Sequence, residues 1–157
     1  LGLGPSDYLE VIAADPAAAR PVHPRWFRLD EFSGPPRLTN WICRVGDLAA
    51  ALSVAPAGAG RAVDLARGDL RWRMGVPADG RLPYDDCFPA LIEWLGPRPQ
   101  GRLAEAGCRL AHLEVAHPEA AELARLVPLA DPRVRFVTGA PALRAVIATP
   151  HGERVLE

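Results

Sequence analysis

The chain has 157 residues, 49% hydrophobic and 24% charged, and a formal net charge of −1. One domain is expected at this length, large enough to hold a core without staples. A near-neutral chain with no basic run excludes nucleic acid as the expected partner, and no apolar run reaches the length of a membrane span.

No basic-then-apolar leader is visible. Cys43, Cys87 and Cys108 are odd in number, scattered and without CxxC spacing. A disulfide framework or zinc site is therefore not expected, and the three read as reduced thiols of a cytoplasmic protein. Arg and Ala abound while Lys is absent, which suggests a GC-rich source genome.

In chain order, LGLGPSDYLEVIAADP reads as strand, turn, strand, with Gly4 to Asp7 as the turn and Tyr8 to Ala13 as the second strand. For a domain opening on a bare hairpin, further residues ahead of Leu1 are expected. Ala14 to Pro36 carries five prolines among Trp26, Phe27, Leu29 and Phe32. It reads as an ordered crossing loop pinned by its aromatics, with a short helical turn near Leu29 to Phe32. NWICRV is a strand. Asp47 caps a helix to about Val54 or Ala55, closed by Pro56 and Gly58. Arg61–Leu65, Leu70–Val76 and Phe88–Trp94 are strands. After a Pro/Gly-rich link over Gly96 to Gly107 the order repeats: strand Arg109–Ala116, a helix from Pro118 to about Leu126, then strands Val134–Thr138, Leu143–Thr149 and Glu153–Leu156.

Two consecutive β-α-β-β-β units resemble the vicinal oxygen chelate superfamily of glyoxalase I, extradiol dioxygenases and bleomycin-resistance proteins. Within it, LGLGPSDYLEVIAADP, NWICRVGDLAAAL, GDLRWRMGVP, FPALIEW, LAHLEVAHPEAAEL and GAPALRAVIATPHGERVL resemble the glyoxalase-like domain proteins. The expected fold class is α+β, with tandem βαβββ units forming a curved mixed sheet and helices on its outer face. One glyoxalase-like domain would span 1–157, with 1–13 the tail of an N-terminal unit and 38–95 and 109–157 the two units. The resemblance also implies that a divalent cation, when present, is held by His and Glu on the first and last strands of the units.

Strand parity gives candidate site residues without the family. Leu70, Trp72, Met74 and Val76 alternate with Arg71 and Arg73. Ala90, Ile92 and Trp94 oppose Leu91 and Glu93. Ala111, Leu113 and Val115 oppose Leu110, His112 and Glu114, and Leu9, Val11 and Ala13 oppose Tyr8, Glu10 and Ile12. Helices need an apolar sheet face to cover. The mixed faces are therefore expected to look into the cavity, with Trp72 and Trp94 in the core. Arg71 and Arg73 would clamp an anionic group in bidentate fashion, beside Tyr8 and Glu114 as further substrate contacts. Glu10 and Glu93 are the candidate catalytic carboxylates. Glu10, Glu93 and His112 are the candidate metal ligands, a donor set suited to Zn, Mn, Ni or Fe(II). The competing reading leaves the carboxylates exposed or salt-bridged and His112 structural.

Two functions follow. One is a glyoxalase-like enzyme, with lyase, isomerase or dioxygenase-type chemistry on a small, oxygen-rich, anionic molecule. The other is a metal-free small-molecule binding or sequestering protein of the bleomycin-resistance type, with a homodimer as its form. The position matching the first-strand ligand lies near Trp41, which cannot ligate a metal. The divalent metal is accordingly expected to be absent or weakly held in this 157-residue form.

Overall fold

The structure, a computed structural model, describes residues 1–127 and 129–157. Among these residues the chain is α+β, with two short helices and two four-stranded mixed sheets. Strand β1 (Ile42–Arg44) leads into helix α1 (Leu48–Val54), then β2 (Arg61–Arg67), β3 (Leu70–Val76) and β4 (Ala90–Trp94). Strand β5 (Arg109–Ala116) leads into α2 (Ala120–Leu126), then β6 (Val134–Val137), β7 (Ala142–Thr149) and β8 (Gly152–Leu156). The order β-α-β-β-β thus occurs twice, as the alternation of apolar and polar residues predicts. Neither helix is long and apolar enough to cross a membrane.

The local signals act as expected. The Asp47 carboxylate accepts the Ala50 N–H at 2.9 Å and starts α1, satisfying a donor that a helix start leaves unpaired. α2 begins at Ala120, two residues after the proline expected to open it. The imidazole of His117 accepts the Glu119 N–H through Nδ1 at 3.0 Å. That ring is the buried polar side chain of the core, and its Nε2 lies 3.3 Å from Asp85 Oδ2.

The sheets differ where the element order does not. The first runs β1-β4-β3-β2, with β1 parallel to β4; the second runs β6-β5-β7-β8, with β5 parallel to β6. The two units share an element order but do not superpose. α1 lies against β2, β3 and β4 and carries the chain to the far edge, whereas α2 lies chiefly on β6 and returns it beside β5. The opening hairpin is also reduced. Gly2 and Tyr8 form an isolated bridge, and residues 9–13 join no ladder. Leu3 is buried with Cys108 and Ile147, and Asp7 pairs with Arg133 at 2.7 Å, so the segment is moored to the second unit by side chains.

One core joins the units. Leu48 of α1, Phe88, Leu91 of β4, Leu113 and Val115 of β5, and Leu123 of α2 form a single buried cluster. Cys43, Cys87 and Cys108 are buried and unpaired. The loop from Ala14 to Pro36 is pinned as expected: Trp26 and Phe27 pack on Met74, Leu82 and Ala90. Its helical turn is a 3-10 turn at Trp26–Arg28, ahead of the expected Leu29 to Phe32.

Candidate functional site

The free face of the first sheet carries a cleft. Cross-strand register sets Trp72 opposite Trp94 and Met74 opposite Ile92, so these four share one face. The two indoles lie 5.4 Å apart with planes inclined at 43°, within the range of favourable aromatic pairs. Trp26 and Phe27 from the long loop form a wall, and Tyr8, Glu10 and Ile12 form another. The cleft is open to solvent and has a volume of about 370 Å³, the size of a small-ligand site. The crossing loop is held over the sheet by hydrogen bonding, since the Arg28 N–H donates to Gly80 O at 3.2 Å.

The polar groups of this cleft differ in availability. Arg25 is engaged by Asp30, to which its backbone N–H and its Nη1 donate at 2.8 and 2.5 Å. His23 Nδ1 is 3.2 Å from Pro24 O. Arg67 reaches Glu10 only at 3.5 Å, with side-chain exposures of 68% and 40%. The pair is loose and weak, because exposed ion pairs contribute about 0–1 kcal/mol. Burial pushes the Tyr8 phenol above its ordinary value, and the Glu10 charge adds to that shift while Arg67 opposes it. Tyr8 therefore enters the cleft as a protonated hydrogen-bond donor at neutral pH.

Arg71, Arg73 and Glu93 lie on the opposite face. The orientation expected for them is inverted, and the anion clamp is corrected: Trp72 faces the cleft and the arginines do not. Arg71 Nη1 donates to Gly68 O at 2.6 Å and Leu70 O at 2.9 Å. Arg73 Nε donates to Asp64 Oδ1 at 2.9 Å, and Glu93 is its register partner on β4. Glu93 Oε2 accepts the Leu48 N–H at 3.2 Å, so this carboxylate serves the α1 N-terminus. The cause of the inversion is closeness of packing. α1 is seated against small residues, and a Cβ on Gly75 would meet Leu52 Cδ2 at 3.0 Å and Ala59 O at 2.9 Å. The two tryptophans would hold the helix off the sheet. Gly75 inside an alternating strand is the signal that identifies the helix-bearing face, since a strand glycine often marks a close approach.

His112 and Glu114 belong to the second sheet. There Glu114 stands opposite Arg135 on β6 and Arg144 on β7, and His112 stands opposite Val146. A bulge between Leu110 and His112 reverses the strand's parity, so Leu110 joins Leu113 and Val115 in the core instead of opposing them. Glu10, Glu93 and His112 thus fall on three separate surfaces: the cleft, the helix-bearing face of the first sheet and the outer face of the second. Among the described residues no three His, Cys, Asp or Glu side chains gather in a group able to hold a metal ion. The expected donor set does not fit the divalent cation of the superfamily.

Of the site residues expected from sequence, Tyr8 and Glu10 come together. Trp26, Trp72, Met74 and Trp94 also line the cleft, whereas strand parity alone places Trp72 and Trp94 in the core. The cleft sets two indoles beside the Tyr8 phenol, the Glu10 carboxylate, the Arg67 guanidinium, and the Arg25 and His23 side chains, of which Arg25 is engaged by Asp30. No curated protein and no solved structure matches the chain. A family model described as glyoxalase-like domain matches residues 1–129, which cover the cleft, the whole first unit, β5 and α2. The three strands that give the second sheet its different order lie after the matched segment. On this match over most of its length, together with the α+β architecture built from two β-α-β-β-β runs, the chain belongs to the glyoxalase-like domain family of the vicinal oxygen chelate superfamily.

Proposed function

We propose that this protein binds a small, flat, conjugated molecule carrying an anionic or oxygen-rich group, and that it holds it in the cleft on the first sheet without a resident metal. The observation that carries the reading is the Trp72–Trp94 pair at the cleft floor, walled by Trp26 and Phe27. Burying one face of a conjugated ring on aromatic side chains contributes about 0.5–1.5 kcal/mol per aromatic pair beyond area alone. Arg67, loosely paired, supplies the partner for the ligand's anionic group. This is the sequestering activity of the bleomycin-resistance type.

Tryptophan fluorescence tests it directly. Trp26, Trp72 and Trp94 line the cleft, while Trp41 is packed on Phe136 and donates to Cys87 O. Titration with 2-naphthoate is expected to quench three of the four indoles and spare Trp41. Trp72→Ala and Trp94→Ala should each weaken binding by about tenfold, roughly 1.4 kcal/mol. Equal binding of an aliphatic carboxylate of similar size would refute the stacking mode.

A catalytic reading is favoured by one observation, a carboxylate in the cleft. Glu10 and Tyr8 face the same space, as a base and a hydrogen-bond donor would for proton abstraction beside a carbonyl. Glu10→Gln separates the readings. Loss of turnover on an enolisable aromatic substrate with retained binding supports catalysis, and unchanged turnover excludes Glu10 as the base.

A further inference from the structure

A second cavity, of about 240 Å³, opens where the two units meet, on the far side of Phe27 from the aromatic cleft. Most of its charges are matched internally. Arg28 donates to Glu31 at 2.7 Å and to Asp86 at 3.2 Å, and Glu31 also receives Arg81. Three lining groups are not matched. Arg37 lies over the Phe32 ring at 4.2 Å and donates to Ser33 O, with no carboxylate partner among the described residues. Asp85, 73% exposed, touches His117 Nε2. Because the Nδ1 of that ring accepts the Glu119 N–H, Nε2 carries the ring proton, and its bond leaves the Asp85 charge in place. The Asn40 amide is shut off from solvent with neither Oδ1 nor Nδ2 partnered. A buried polar group without a partner costs free energy and asks for an explanation.

We propose that this cavity is a binding site for a small zwitterion with an aliphatic side chain, an amino acid of the leucine type. Its carboxylate pairs with Arg37, a guanidinium fork already oriented by Phe32. Its ammonium pairs with Asp85. The Asn40 carboxamide turns into the cavity and exchanges its two unmet hydrogen bonds for one to each end of the ligand. Phe27, Phe32 and Leu143 take the side chain. A zwitterion fits where a simple anion does not, because the unmatched charges on the walls are one of each sign.

Calorimetric titration of the full chain with L-leucine should show saturable binding. 4-Methylpentanoate lacks the ammonium and 3-methylbutylamine lacks the carboxylate, and each should bind at least about tenfold more weakly. Arg37→Met and Asp85→Asn should each weaken L-leucine by about tenfold as well. Asn keeps an acceptor for His117 and tolerates the left-handed backbone at this position, φ 53°. Asn40→Leu should abolish leucine binding while holding or raising the melting temperature, since an orphaned amide is replaced by an apolar group of similar shape. Quenching by 2-naphthoate should be unaffected in all three variants, so that failure here and failure of the aromatic cleft are separately visible. The proposal is overturned if L-leucine gives no saturable heat up to about 10 mM, or if the three variants bind it like the parent chain.

Discussion

Glu93 illustrates how surroundings assign a role to a carboxylate. On sequence parity it is a cavity acid; in space it receives the first N–H of α1 and lies beside Arg73. A negative charge at a helix start is stabilising by about 0.3–1 kcal/mol. Glu93→Ala is therefore expected to lower stability by about that amount, and Asp47→Ala by about 1 kcal/mol through loss of the cap. Urea unfolding measures both. Neither change should alter quenching by an aromatic ligand, and a Glu93→Ala variant that lost binding at full stability would return Glu93 to the site. His112 is legible as a strand histidine but not as a ligand, because a ligand is defined by what other strands bring to it, and Val146 is what β7 brings.

At the scale of elements, the long loop and β3 share one dependence. Gly80 has φ 76°, and a Cβ there would meet Arg25 O at 2.4 Å. Its carbonyl also receives the Arg28 N–H. Gly80→Ala should push the loop off the sheet and open the cleft wall made by Trp26 and Phe27. The expected outcome is faster protease cleavage between residues 14 and 36 and weaker 2-naphthoate binding, with both sheets intact by circular dichroism. Cleavage at the parent rate would mean that the aromatic contacts alone seat the loop. The loop's apolar residues were legible as anchors because proline excludes regular structure while aromatics demand burial. The face they cover was not, since alternation says which residues share a face and never which face a helix will choose.

For the whole molecule, several surface carboxylates are held below their ordinary values by arginines, and solvent screening keeps the contribution of each to acid stability small. A hydrogen bond from Arg102 lowers Asp69 from 3.8 to about 2. Asp131 is lowered by the hydrogen bond from Arg133, and Asp30 and Glu31 by bonds from neighbouring arginines. A depressed carboxylate adds stability that is present above its unfolded value and is lost as pH falls through its folded value. Urea midpoints should thus be nearly flat from about pH 7 to 5 and decline from about pH 4 towards 2. Arg102→Gln should make that decline shallower, and an unchanged pH profile would show that the Asp69 pair is inactive in solution. Arg133 couples distant parts, since it holds both Asp131 and Asp7. Replacing it should loosen the opening segment as well as the β6 approach.

The sequence by itself determined the two β-α-β-β-β runs, the cap at Asp47 and the membership of one family, but not the fate of the segment from Tyr8 to Ala13 or the place of the turn in the long loop. What it determined rests on local or repetitive signals: period-two alternation, a capping side chain, a proline, and words spread over most of the chain. Only the tertiary structure decided that Trp72 and Trp94 face a cleft, that Glu93 serves a helix, and that the second sheet orders its strands differently from the first. The physical reason is that each of these depends on a partner remote in sequence. Gly75 admits Leu52, the bulge at Leu110 and His112 shifts a face, and α2 docks on β6 instead of crossing the sheet. Packing selects among faces that alternation leaves equivalent.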